Sequence, residues 1–173
     1  GSTTVTVVVD FNSNSTTVTR SGSGSTTYAG VPNGQAPLGT GGPTGQIYVD
    51  GEIQSLRGPG RNGSVGSNPP DHPVPSQILP ALARETEISV AATNRIDLTS
   101  DLVYECDPTA LADPIYLAQY PRCDTGGTPL PTVLGVLSLN DDVRITTSTP
   151  NNLYLWGSYL AGQNGRGLTV QNY

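Results

Sequence analysis

Residues 86–105 read TEISVAATNRIDLTSDLVYE, and the apolar residues Ile88, Val90, Ile96, Leu98, Leu102 and Tyr104 all fall at even positions. Alternation with a period of two turns one face of an extended chain inward. The phase survives two polar interruptions, Ala92-Thr93-Asn94 and Thr99-Ser100-Asp101. Short strands that turn corners while keeping one face on a single core would produce this pattern. The fold expected from it is a β-solenoid.

The same unit recurs on either side. In QIYVDGEIQSL, residues 46–56, Ile47, Val49 and Ile53 are in phase and Gly51 marks the break. In LSLNDDVRI, residues 137–145, the expected inward set is Leu137, Leu139, Val143 and Ile145. In LYLWGSY, residues 153–159, the glycine returns as Gly157, with Leu153, Leu155 and Tyr159 in phase. Comparable units start roughly forty-odd residues apart, as in stacked repeats, where one unit cannot bury its face alone. The expected class is therefore all-β: a β-solenoid of irregular, parallel β-helix-like coils. It carries long Gly/Pro-rich loops and at most one short capping helix. Residues 1–173 are expected to form a single β-solenoid domain, with a leading hairpin and loop in 1–45 and coiled repeats in 46–173.

Residues 3–12, TTVTVVVDFN, are rich in β-branched side chains and read as a strand with Val5, Val7, Val9 and Phe11 in phase. The segment ending at Arg20 is expected to pair back on it as a hairpin. Residues 21–45 and 57–80, dense in Gly, Ser, Pro and Asn, read as surface loops. GTGGPTG at 39–45 lacks the Lys-Ser/Thr ending of a phosphate loop, and no helical pattern follows it. Residues 78–85, ILPALARE, are the one helix candidate, and 164–173 a last strand through Leu168 and Val170.

Composition agrees with many short strands and turns: 21 glycines, 15 prolines and only 13% charged residues. All 8 basic residues are arginine against 14 acidic ones, a net charge of −6. That balance excludes a generally basic, nucleic-acid-coating surface, though not a local arginine patch. The Gly-Ser start and the lack of methionine suggest a piece excised from a longer protein. No signal peptide and no run of ~18 apolar residues is present. Cys106 and Cys123 flank the polar loop DPTALADPIYLAQYPR. They are expected to form a disulfide, which implies an oxidising, extracytoplasmic setting; closing such a loop contributes roughly 3 kcal/mol.

The ordered phrases YVDGEI (48–53), EISVAATNRIDLTSDLVYE (87–105), VLGVLSLNDDVRI (133–145) and NLYLWGSYLA (152–161) resemble the β-solenoid domain of ComZ-like, competence-associated minor pilins. The resemblance covers residues 46–170 and lies in pattern, not in a catalytic signature. It implies a module inserted in a pilin headgroup on a type IV pilus. Other pilins would be its neighbours, DNA its ligand during natural transformation, and the cell surface its location. Membrane contact would come only through a pilin helix absent from this sequence.

His72, in PPDHP, is the sole histidine and sits in a proline-rich loop without a nucleophile-elbow motif. One histidine and a paired cysteine couple leave no zinc set. Asp141-Asp142 and the outward pair Asp50 and Glu52 are the carboxylates to weigh for glycoside cleavage. Adjacent strand residues face opposite ways, so these read as solvated corner charges. No catalytic residue, cofactor or metal is assigned, and the chain is expected to be a non-enzyme. DNA capture would use arginines gathered on one face with exposed aromatics for stacking. The candidates are Arg57, Arg61, Arg95, Arg144 and Arg166, with Tyr48, Tyr154 and Trp156; Arg95 and Arg144 are expected to form a ladder if their coils stack. The alternative is an adhesin or scaffold that binds another pilin or a surface glycan through those aromatics. A polysaccharide-degrading enzyme is the remoter reading.

Overall fold

The computed structural model of the protein describes residues 5–10, 15–29, 44–59, 61, 78–82, 84–106, 114–123, 132–150 and 152–171. Among them the strands run β1 (Val5–Asp10), β2 (Ser15–Arg20), β3 (Gly24–Ala29), β4 (Thr44–Val49), β5 (Glu52–Arg57), β6 (Glu87–Ala92), β7 (Ile96–Leu98), β8 (Val133–Ser138), β9 (Val143–Ile145), β10 (Ser158–Ala161) and β11 (Leu168–Val170). Between β7 and β8 lies one short helix, α1 (Pro114–Gln119), followed by a 3-10 turn at Pro121–Cys123.

The strands form two sheets. One has seven strands in the order β11-β9-β7-β5-β1-β2-β3, the other four in the order β10-β8-β6-β4. From β4 onward the chain alternates between them, and each strand lies parallel to its predecessor in the same sheet. The corners between sheets are held by backbone hydrogen bonds from one layer to the next. Thr93 N donates to Val49 O and Asn94 N to Gly51 O; Leu139 N donates to Ala92 O and Asn140 N to Thr93 O. Gly51 stands at φ 155° in the first corner, a conformation that favours glycine.

The alternation in residues 86–105 is a real inward face. Ile88, Val90, Ala92, Ile96, Leu98 and Leu102 are all buried and share one core with Val49, Ile53, Leu56, Leu134, Val136 and Val143; Tyr104 packs against it. Each fully buried aliphatic side chain contributes roughly 1.5–3 kcal/mol of transfer free energy.

Three findings correct the expected all-β solenoid of parallel coils. The seven-stranded sheet is mixed: β1 is parallel to β5, but β1–β2–β3 is an antiparallel meander. No third sheet closes the coil among the described residues. Outside the two sheets the described residues carry only isolated bridges, Leu82 with Tyr104, Leu102 with Leu155 and, antiparallel, Arg61 with Ile78. Proline at position 80 and the long connections here keep those bridges from growing into strands. A helix is also present, and it is not where it was expected. Residues 78–82 contain bridge positions, whereas α1 starts at Pro114, inside the cysteine loop, where proline is tolerated in the first turn. The fold is thus a two-sheet, mixed arrangement with few helices and not a closed solenoid.

Two further expectations shift. Residues 21–45 include β3 and the start of β4. The turn into β3 uses Gly22 and Gly24 at φ 79° and 80°, with Ser23 N donating to Arg20 O. In β8 the inward residues are Leu134 and Val136, in register with Ile88 and Val90, while Leu137 and Leu139 face out and Leu139 is exposed. The reason is a corner one residue longer than its counterpart. Ala92 and Ile96 pair with Ser138 and Val143, and the additional residue reverses the phase. The hairpin of β1 and β2 is as expected, and Val7 is buried in the core. His72, Thr3 and Tyr173 lie outside the described residues.

Candidate functional site

The outward faces of the two sheets differ in chemistry. On the seven-stranded sheet, Asp97 of β7 lies in register with Arg144 of β9. Arg144 donates from Nε to Asp97 Oδ1 at 2.9 Å and from Nη2 to Oδ2 at 2.7 Å. Arg95 donates from Nε to the same Oδ1 at 3.0 Å and from Nη2 to Glu52 Oε2 at 3.1 Å. Glu52, Arg95, Asp97 and Arg144 therefore form one chain of alternating charge, and its net charge is zero. Asp97 is buried under the two guanidiniums, each itself about one quarter exposed (27%). The bidentate hydrogen bond to Asp97 holds the Arg144 guanidinium above its ordinary value.

The other candidate arginines are tied up in the same way. Arg61 places Nε 2.7 Å and Nη2 3.0 Å from the two carboxylate oxygens of Asp101, and Nη2 also donates to Asn152 O. Both side chains are buried, at 8% and 1% exposure. Asp101 additionally accepts the backbone N–H of Tyr154. This pair stitches the connection after β5 to the connections after β7 and β9, so it is a structural tie. Arg166 reaches Asp141 at 3.1 Å and Asp142 at 3.9 Å. Asp142 also accepts Gly167 N, and its own N–H donates to Asp141. The two aspartates therefore organise a corner. Arg57 is exposed at the end of β5, in register with Asp10.

Arg95 and Arg144 meet across Asp97 and so do not form a ladder of like charge. The signal for this was in the sequence. Aligning Ile96-Asp97-Leu98 with Val143-Arg144-Ile145 sets the aspartate opposite the arginine.

The aromatic candidates separate. Tyr48, on β4 at one edge of the four-stranded sheet, is 59% exposed. Its hydroxyl is hydrogen-bonded to Thr93 Oγ1 at 3.1 Å, and Thr93 Oγ1 in turn donates to Asp50 Oδ1 at 2.9 Å. Tyr154 and Trp156 lie on the connection between β9 and β10 and are half-buried. Their backbone groups pair with Leu102, and the Trp156 ring leans on Tyr104 with centroids 6.4 Å apart. The three rings make no common stripe.

A different row emerges on the outward face of the four-stranded sheet. Strand register aligns Tyr48, Ala91, Leu137 and Leu160 across β4, β6, β8 and β10. Beside it runs a low row, Gln46, Ser89, Gly135 and Ser158. Leu160 is 62% exposed and Val133, further along, 50%. Neither row contains a charge; Glu87 is the charged residue of β6 on this face. Sequence reasoning placed Tyr48 here but assigned Leu137 to the core, and so missed the row.

Cys106 and Cys123 are joined in a disulfide, Cα to Cα 5.0 Å. Tyr116 of α1 packs beneath it, buried, and its hydroxyl accepts the N–H of Cys106. The Tyr116 and Tyr120 rings meet at a tilt of 41°, centroids 4.8 Å apart. Among the described residues, Glu105, Cys106 and Cys123 group as metal-binding types do, but the disulfide consumes both sulfurs.

Compared with protein-family models, with curated proteins and with solved structures, the chain shows no match in any of the three.

Proposed function

We propose that this chain is a non-enzymatic recognition module of an extracytoplasmic, pilus-like assembly, and that it serves as a scaffold contacting another pilin subunit. The observation that carries this reading is the uncharged row Tyr48–Ala91–Leu137–Leu160 on the outward face of the four-stranded sheet. A sheet face with an aromatic anchor and aliphatic neighbours suits a protein surface of matching apolar and hydroxyl character. The Cys106–Cys123 disulfide is compatible with an oxidising compartment. The experiment is binding of the chain to purified type IV pilin subunits. Tyr48→Ala and Leu137→Lys are expected to weaken binding at least about tenfold, as truncation of interface anchors does. Binding of the same strength by all three chains would sink the proposal.

DNA capture is the second reading, and Arg57 and Arg166 favour it. Both are exposed, and the Arg166 side chain, at 44% exposure, holds a surface ion pair that a phosphate would displace at little cost. Arg61, Arg95 and Arg144 contribute little to it while their carboxylates neutralise them. Capture of this kind would show as a gel shift that weakens steeply with salt. Retention independent of salt, or none at low salt, rules it out.

A further inference from the structure

The two sheets end together at one pole of the molecule. β10 is the edge of the four-stranded sheet and β11 the edge of the seven-stranded sheet, and both follow β8 and β9 as the last layer. Leu168 and Val170 sit in the inward phase, opposite Val143 and Ile145. Val143 is fully buried, yet Leu168 and Val170 are 50% and 54% exposed. They are core positions, and among the described residues no further layer lies above them. Soluble proteins block such edges with lysine, proline or inward charges. The strands here, SYLA and LTV, carry none of these. The charges beside these strands are paired: Arg166 with Asp141 and Asp142 at the corner, and Arg144, in register with Thr169, with Asp97.

The opposite pole is built differently. There the four-stranded sheet stops at β4, while the seven-stranded sheet continues past β5 through β1, β2 and β3. Its two edges, β3 and β4, do not belong to one layer. A second copy arriving head to tail would meet β4 in place while the added meander holds it off the other sheet. Head to head, the same end meets itself. A two-fold axis perpendicular to the strands then sets β10 against β10 and β11 against β11, antiparallel, with both edges paired at once.

We propose that the chain forms a closed, two-fold dimer through this pole, with both sheets running on across the interface and Leu168 and Val170 covered. This surface meets the Tyr48 row at Leu160, but Leu168 and Val170 lie outside that row, and the dimer does not depend on the pilin reading. The test is sedimentation equilibrium of the chain over a wide concentration range. A dimer of twice the chain mass that grows no further is expected. Leu168→Lys with Val170→Lys places charges at half-exposed positions and should weaken dimerisation at least about 100-fold, with unchanged circular dichroism. Should that variant unfold, Leu160→Lys on β10 takes its place with the same expectation. Thr27→Lys on β3, at the other pole, should leave the dimer intact, as should Tyr48→Ala. A monomer at every concentration, open-ended growth, or a dimer indifferent to lysines at β10 and β11 overturns the proposal.

Discussion

The outward faces of the two sheets are both built from short, mostly parallel strands, yet one carries a closed chain of charges while the other carries an open, uncharged row. On the seven-stranded sheet each guanidinium of the Glu52–Arg95–Asp97–Arg144 chain finds a carboxylate within 3.1 Å. On the four-stranded sheet Tyr48 and Leu160 stand more than half exposed, with no charge in their row. Charged residues at a surface are often taken as the binding residues. Here their geometry points to a role in holding strands together, and the proposed contact with a partner falls to the plain residues of the other face.

The largest effect is expected where the arginine–carboxylate contact leaves the outer face for the interior. Asp101→Ala strands the buried Arg61 guanidinium, whose Nη1 already lacks a hydrogen-bond partner, and frees the N–H of Tyr154. Removing one member of a buried pair costs about 3–5 kcal/mol, readable by urea denaturation. Asp97→Ala on the outer face should cost about 1–3 kcal/mol, because Arg95 and Arg144 are partly exposed and can turn to water. If the two variants lose equal stability, the contrast between interior tie and outer chain fails.

Tyr159 probes the inward side of β10. Burial, then the neighbouring Tyr104, raises its phenol above the ordinary value of 10.0, and its hydroxyl donates to Trp156 O. In the unfolded chain this proton leaves near pH 10, while the folded chain keeps it. Stability is therefore full below about pH 10 and falls as pH rises beyond it, by about 1.4 kcal/mol per pH unit. Alkaline denaturation of Tyr159→Phe should show a shallower slope; an identical slope would remove Tyr159 from this role. The smallest effect is expected at Tyr48→Ala. Its side chain is mostly in water, so stability should change by less than about 0.5 kcal/mol in a thermal melt.

Much of the interior was legible in the sequence. Alternation through residues 86–105 named Ile88, Val90, Ile96, Leu98 and Leu102 as core, and all are buried. The disulfide between Cys106 and Cys123 and the β1–β2 hairpin followed from spacing and turn residues. What alternation does not encode is how long a corner is. One additional residue before Val143 reversed the phase of β8 and hid Leu137 from view. Nor does it encode which strands share a sheet: β1 joins β5 in parallel while its hairpin partner β2 runs antiparallel, which makes the larger sheet mixed. Arg144 on β9 and Arg95, just before β7, turn away from the core, but an outward residue is not a free one. Only register, which brings Asp97 opposite Arg144, reveals the partner.

The most direct test pairs two variants in two assays, stability in urea and binding to purified pilin subunits. The account predicts a crossing: Asp97→Ala loses about 1–3 kcal/mol of stability yet, below its transition, binds as the parent does. Tyr48→Ala melts as the parent does and loses at least about tenfold in affinity. Loss of binding in Asp97→Ala alone, with Tyr48→Ala unaffected, would contradict it and return the partner to the charged face.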